Sequence, residues 1–408
     1  MVGGARAVER CKALGRAPFS DMEGGLYRAW LTPAYRAARE QVSAWMVEAG
    51  MTPRVDAAAN LIGRYEGTGD GPPLIIGSHL DSVRDAGFYD GPLGIMLGIE
   101  AVAALSAQGR RMPFPIEVMA FGDEEGSRFP AAMLTSKAVA GVLGDVPEMA
   151  DRDGVTLAEA LAEFGSAPDR LMEARHPGAL AYLEAHIEQG PVLEADGLAL
   201  GVVTGIAAQL RFAVVVKGLA GHAGTSSMPL RRDALAGAAE MVLAIESIAR
   251  ADASDLVATV GRLEVLPGAA NVIPGEVRLT IDVRSGDAAR RDRAAEAILA
   301  ALPAIADRRG LSLSVEQVHD LPASPCDPGL MDLLEAALVA QGHPARRLVS
   351  GAGHDAMILA SLAPTAMLFI RCRDGISHNP AEDVTPADAD AALAVMLGFI
   401  TRLGDARV

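Results

Sequence analysis

The sequence predicts an α/β protein: a mixed sheet covered by helices, with a smaller ferredoxin-like α+β domain inserted into it. Three observations predict this. Short, wholly apolar runs, Leu74–Ser78 (LIIGS) and Ile116–Phe121 (IEVMAF), alternate with helical patterns in the first half. Strands buried on both faces between crossover helices read this way. The middle of the chain runs β-α-β-β-α-β, the ferredoxin-like order. Finally, 408 residues exceed what one compact core holds, so two domains are expected.

Tyr35–Ala49 reads as an amphipathic helix and Leu93–Gln108 as a helix apolar on almost every side. In the middle, strands are expected at Leu210–Lys217, Leu256–Leu266, Glu276–Val283 and Leu311–Val315, with helices at Asp233–Arg250 and Ala288–Ala300. The run EVRLTIDV alternates cleanly, as a half-buried strand does. Breaks near Gly205 and in the Pro-rich stretch Leu321–Pro328 assign 1–207 and 322–408 to the large domain and 208–321 to the insertion.

Half of the chain is hydrophobic but only 4% aromatic, so the cores rest on Ala, Leu, Val, Ile and Met. The net charge of −16, from 36 basic and 52 acidic residues, argues against nucleic acid or an anionic membrane as a partner. A local arginine can still receive a small anion. Cys11, Cys326 and Cys372 are scattered, which suggests neither a disulfide framework nor a thiolate metal site. Met1–Pro18 lacks the apolar core of a signal peptide, and no apolar run is long enough to cross a bilayer; a cytoplasmic location is expected.

Chemistry concentrates where apolar runs end. The strand through Gly77-Ser78 delivers His79 and, one pleat on, Asp81, whose carboxylate is expected to accept the other ring N–H of His79. Gly87-Phe88-Tyr89-Asp90-Gly91 opens the buried helix and places Asp90 at its N-terminus. The second strand ends in Gly122-Asp123-Glu124-Glu125-Gly126, where consecutive carboxylates repel unless a cation lies between them. His186 and His378 each follow an apolar segment and precede a Gly or Pro turn. Singly, each has an ordinary alternative: a satisfied loop histidine, or a solvated acidic turn. Jointly, three imidazoles and several carboxylates without thiolates suit zinc, manganese or cobalt.

These motifs resemble the metallo-aminoacylase and carboxypeptidase clan, and within it the branch of N-carbamoyl-L-amino-acid hydrolases, β-ureidopropionases and allantoate amidohydrolases. The matching runs are Gly77–Ser82, Asp90-Gly91, Glu124–Phe129, His186–Glu194, Gly221–Thr225, Asn271–Gly275, Gly351–Ala356 and Gly375–Glu382. They are collinear from about residue 77 to near the end of the chain. The resemblance implies two divalent metal ions per subunit, one held by His79, Asp90 and His186 and the other by Asp90, Glu125 and His378. It implies Glu124 as general base and His222 as oxyanion stabiliser reaching in from a partner subunit. Gln189 would orient the ureido group, and Asn271 and Arg284 would bind the substrate carboxylate. The large domain would then be catalytic, and the insertion a dimerisation and lid domain of a homodimer whose sites are completed across subunits.

The chain departs from the family pattern at Ala86-Gly87, where Gly-Gly is usual, at Thr135-Ser136 and at Asp374. None of these removes a candidate ligand. Asp85–Gly91, Phe369–Arg373 and Gly351–Ala356 look closest to allantoate amidohydrolases. An N-carbamoyl-L-amino-acid hydrolase uses the same machinery on another small anionic ureido compound. A peptidase and a non-catalytic binding relative are further alternatives. Without the resemblance, Arg284 would read as a surface salt bridge.

Overall fold

The computed structural model describes residues 2–146 and 148–406. Strands follow in the order β1 (Thr52–Val55), β2 (Leu61–Tyr65), β3 (Leu74–His79), β4 (Ile116–Phe121), β5 (Ala181–Ile187), β6 (Leu200–Ile206), β7 (Ala208–Lys217), β8 (Gly221–His222), β9 (Val257–Thr259), β10 (Leu263–Leu266), β11 (Val272–Ile273), β12 (Glu276–Ser285), β13 (Ser312–Leu321), β14 (Ser324–Pro325), β15 (Arg347–Ser350) and β16 (Thr365–Ile370). The chain forms two compact units. The larger runs to Thr204, returns for Cys326–Leu348 and resumes at Gly353. The smaller comprises Gly205–Pro325 and Val349–Ala352, so it takes in a short C-terminal piece outside the expected span 208–321.

In the larger unit the sheet order is β1-β2-β4-β3-β5-β16-β6. β4, β3, β5 and β16 run parallel, and the outer pairings are antiparallel. Every residue of these four central strands is buried, as expected of a sheet covered on both faces. The helix Pro92–Ala107 packs across β3, β4 and β5 with thirteen named residues buried, including Glu100. Glu100 is the one charged residue in that apolar helix. It accepts from Gly3 N at 3.0 Å, Arg6 Nε at 2.7 Å and Arg10 Nη1 at 3.1 Å, which anchors the helix Gly4–Leu14. Among the described residues no helix is long and apolar enough to cross a membrane.

In the smaller unit the order is β10-β12-β7-β13, with β9 also on β12 and every pairing antiparallel. Helices Ala234–Ala251 and Ala288–Arg308 complete the ferredoxin-like arrangement. Val277, Leu279, Ile281 and Val283 of β12 enter one core with Phe212, Val214 and Ile298. The single strand expected at Leu256–Leu266 is two. β9 pairs with Asp282–Arg284 and β10 with Leu263's partner Leu279 through Glu276. Between them Arg262 N turns to Thr280 Oγ1 at 3.1 Å. The second helix passes through Pro303 and ends eight residues beyond the expected Ala300, at Arg308, because its last turns still bury Leu302, Ile305 and Ala306.

Candidate metal centre

All of the candidate groups of the larger unit gather beyond the carboxyl ends of its parallel strands, where ligands of open α/β sheets sit. His79 is the last residue of β3, and His186 lies near the end of β5, the neighbouring strand. Glu124 and Glu125 follow β4, and His378 follows β16. Asp90 is presented by the turn before the helix Pro92–Ala107. At Gly91 φ is 81°, and a Cβ there would lie 2.5 Å from His79 Cε1, so only glycine lets the turn approach the imidazole. At Gly87 a Cβ would lie 2.4 Å from Glu382 Cδ, whereas the adjacent Ala86 is simply buried. Of the usual Gly-Gly pair, this chain therefore keeps the glycine that packing requires.

Asp90 is the centre of the arrangement. Its Oδ1 lies 3.3 Å from His79 Nε2 and 3.1 Å from His186 Nε2. Its Oδ2 lies 3.4 Å from His378 Nε2, which is itself 3.4 Å from Glu125 Oε1. The sets His79/Asp90/His186, His79/Glu124/Glu125 and Asp90/Glu125/His378 each bring their ligand atoms within 4.8 Å of one another. His79 Nδ1 faces the Asp81 carbonyl at 3.0 Å, and His186 Nδ1 faces the Ile187 carbonyl at 2.9 Å. With each Nδ1 at a carbonyl, both Nε2 atoms converge on Asp90, 3.5 Å apart.

The Asp81 side chain differs from expectation. Its Oδ1 is 3.7 Å from His79 Nδ1, and the backbone carbonyl of Asp81 makes the closer contact. The carboxylate instead accepts from Glu124 N at 3.2 Å and Glu125 N at 3.3 Å. Asp81 therefore holds the backbone of the acidic pair. Asp123, with φ 63°, turns the chain into that pair.

The electrostatics call for a cation. Burial, followed by Asp90, pushes Glu125 up to about 8. Burial, reinforced by Glu125, holds Glu124 well above the usual carboxylate range. Burial alone would lower His79, but Asp90, Glu124 and Asp81 reverse that and hold it well above its ordinary value. Asp90 is driven the other way: burial opposes its ionisation, but bonds to His186 and His79 hold it well below the usual range. Among the described residues no Lys or Arg forms an ion pair with Asp90, Glu124 or Glu125. Imidazole and carboxylate donors that face one another without such a partner fit divalent ions.

Gln189 donates to Asp90 Oδ2 at 2.8 Å, and its buried Oε1 has no partner among the described residues. Several neighbours carried little signal in the sequence. Ser377 donates to Asp90 Oδ2 and lies 3.3 Å from Glu382 Oε2. Glu382 Oε1 accepts from Tyr89 N at 2.7 Å and Asp90 N at 3.1 Å, which secures the turn that carries Asp90. His354 meets the His186 ring edge-on, with centroids 4.5 Å apart. Glu184 takes Tyr182 OH at 2.9 Å and Ala356 N at 2.9 Å. Glu184 alone had a legible cue, a carboxylate in the otherwise apolar run Ala181–Ile187.

The smaller unit carries the remaining candidates, in two places. His222 is exposed and pairs with Val272; its Nδ1 accepts from Gly224 N at 3.1 Å, which leaves the proton on Nε2. Ala223 N donates to the Asn271 carbonyl at 3.0 Å, so His222 and Asn271 are neighbours. Arg284 is at the far end of β12, roughly 26 Å along the strand at about 3.3 Å per residue. Its fork is gripped by Asp282, with Nε–Oδ1 2.6 Å and Nη2–Oδ2 2.9 Å, and Nη1 donates to the Gly351 carbonyl at 2.6 Å.

The chain is similar to known proteins over nearly its whole length. Residues 75–402 match the family model described as peptidase family M20/M25/M40. The chain is 42% identical over 407 residues to an N-carbamoyl-L-amino acid amidohydrolase of Geobacillus stearothermophilus, covering 99% of each. It is 41% identical over 433 residues to a probable allantoate deiminase of rice, Oryza sativa subsp. japonica, covering 96% of this chain and 87% of the relative. A crystal structure of an amidase of the hydantoinase/carbamoylase family from Burkholderia multivorans superposes with a TM-score of 0.91 at 37% identity, covering 99% of this chain and 98% of that one.

Proposed function

Because the chain belongs to peptidase family M20/M25/M40, we propose that it is a binuclear metal-dependent amidohydrolase that cleaves the ureido C–N bond of a small anionic substrate. Allantoate is the proposed substrate, giving ureidoglycine, ammonia and carbon dioxide. The observation that carries the reading is Asp90, whose two oxygens face two separate donor sets. His79, Asp90 and His186 would hold one ion, and Asp90, Glu125 and His378 the other, as zinc, manganese or cobalt. When bound, such ions polarise a carbonyl and make water a stronger acid.

The protein's own groups supply the rest. Glu124 is fixed through its backbone by Asp81 and is the base that accepts a proton from water and returns it to the departing nitrogen. The unpartnered Gln189 Oε1 is an acceptor for a ureido N–H. The Nε2–H of His222 is a donor for the developing oxyanion. Arg284, once its fork exchanges Asp282 for substrate, is a bidentate partner for a carboxylate. His222 follows Lys217, which pairs with Glu276 at the start of β12, and Arg284 lies near the other end of that strand, which favours the two serving one substrate from different copies of the chain. The loop after His222 exposes Met228 (73%) and Leu230 (80%), apolar surface suited to a second copy. This supports a homodimer with sites completed across subunits, the smaller unit acting as dimerisation and lid domain.

An N-carbamoyl-L-amino acid is the second reading, favoured by the full-length 42% relative. A panel of allantoate, N-carbamoyl-L-amino acids, N-carbamoyl-β-alanine and a dipeptide decides between them. The allantoate reading expects the highest kcat/KM on allantoate. Preference for a carbamoyl amino acid replaces it with the second, and dipeptide turnover alone refutes both. Mixing His222→Ala with Glu124→Gln subunits should restore part of the activity, and no restoration under verified subunit exchange excludes the shared site.

A further inference from the structure

The segment Leu26–Leu31 touches both loops that carry the metal-centre residues, and its one fully buried cation is Arg28. Arg28 Nε donates to the Leu80 carbonyl at 2.7 Å, the residue between His79 and Asp81. Its Nη1 donates to the Leu14 carbonyl at 2.7 Å and the Phe19 carbonyl at 3.1 Å. Its backbone pairs with Ser82, Ser82 N to Arg28 O at 2.9 Å and Arg28 N to Ser82 Oγ at 3.0 Å. Ala86 N donates to Leu26 O at 3.0 Å, so the segment follows the His79–Ala86 loop along its length.

The same segment meets the other loop. Tyr27 OH donates to the Ser127 carbonyl at 3.2 Å, and Arg128 Nη1 donates to Trp30 O at 3.2 Å and to Leu31 O. Ser127 Oγ closes the circuit on Ser82 O at 3.0 Å. Thus one arginine reaches from the segment into the first loop, and another reaches from the second loop back to the segment. Within this brace Asp81, on the first loop, holds the backbone of Glu124 and Glu125 on the second.

We propose that Arg28 is a positioning residue for the metal centre: its fork fixes the Leu80 peptide, and through it the orientation of His79 and of the Asp81 carboxylate that holds the Glu124–Glu125 backbone. A guanidinium suits this task because three carbonyls in different directions must be met at once. A buried guanidinium on carbonyls alone is costly. Burial lowers Arg28 to about 10 and Asp81 opposes that most strongly, so Arg28 is charged at neutral pH and supplies a positive field beside Asp81.

The inference rests on the two-metal reading above, and the test separates the two. Parent, Arg28→Lys and Arg28→Met are stripped of metal and titrated with cobalt(II), whose visible absorption reports ligand geometry, and kcat and KM are measured in excess metal. If the parent binds no cobalt at a histidine-containing site, the two-metal reading fails. If it does, Arg28→Met should retain its far-UV dichroism and its KM. It should lose about tenfold to a hundredfold in kcat or cobalt affinity, the range for residues that orient metal ligands, and its cobalt spectrum should change. Arg28→Lys, which keeps the charge but not the fork, should fold, show the altered spectrum and lose roughly fivefold or more in kcat at unchanged KM. Should Arg28→Met fail to fold, Arg28→Lys decides alone. A folded Arg28 variant with the parental spectrum and kcat overturns the proposal, as does a variant that only melts earlier.

Discussion

The two ends of β4 present carboxylates in opposite circumstances, Glu117 buried and Glu124 and Glu125 half-buried. Near its start, Glu117 is met by Arg64 Nη1 at 3.0 Å and His176 Nε2 at 3.1 Å, with Arg54 Nη2 at 4.0 Å. Burial opposes its ionisation, but His176 and Arg64 outweigh it and hold its carboxyl below the usual range. Just past the other end, Glu124 and Glu125 have no arginine or lysine pair among the described residues, and both are held above that range. One strand therefore separates a carboxylate met by an arginine and a histidine from carboxylates that face only imidazoles among the described residues. A buried charge is tolerated only when paired. The first end is complete by itself, and the second is prepared for a ligand.

The comparison can be broken or sharpened by experiment, and removing the external cation should have the largest effect. Chelation is expected to abolish turnover, with recovery on adding manganese, cobalt or zinc; a chelator-resistant enzyme would put a covalent or general-acid mechanism in its place. Next, Glu124→Gln should keep its metal content by elemental analysis and lose at least about a hundredfold in kcat, as loss of a general base does. Near-parental turnover in that variant removes Glu124 from the chemistry. Arg284→Ala should follow, raising KM with little change in kcat, because its carboxylate contact is made before and during reaction alike. Unchanged kinetics would leave Arg284 only its pair with Asp282.

The smallest effect belongs to the paired end. Glu117→Gln should leave kcat untouched and cost about 1–3 kcal/mol of unfolding free energy by denaturant titration, the range for disturbing hydrogen bonds to a charged group. The sign with pH follows from the lowered pKa of Glu117. Its contribution is present in full above the ordinary carboxylate value and is lost as pH falls through the lower folded value. The stability gap between parent and variant should therefore close as pH falls below about 5. A gap that persists at low pH would mean that packing, and not charge, holds that end.

Much of this arrangement is legible in the chain itself. The apolar runs of β3 and β4 mark buried parallel strands because a strand covered on both faces has no polar side to show. EVRLTIDV marks β12 because one face is covered and the other is not. The residue types at strand ends point to imidazole and carboxylate ligation, since the cysteines are scattered and Cys372, just past β16, has no second cysteine near it in sequence. Sequence position alone could not show which oxygen of Asp90 faces which imidazole, because His79, Asp90, His186 and His378 meet only through the order in which β3, β5 and β16 pair.

What tertiary structure decided follows the same logic. The Asp81 carboxylate turned from the nearby His79 ring to the backbone of Glu124 and Glu125, because the local carbonyl already lay closer to that ring. Ser377 and Glu382 became supports of Asp90 from 287 and 292 residues away in the chain. Arg28, an ordinary arginine among apolar neighbours in the sequence, proved to be fully buried against the Leu80 carbonyl. Periodicity and turn chemistry are local and can be read along the chain. Partners brought together over long sequence separations are set by sheet order and loop packing, which local pattern does not encode.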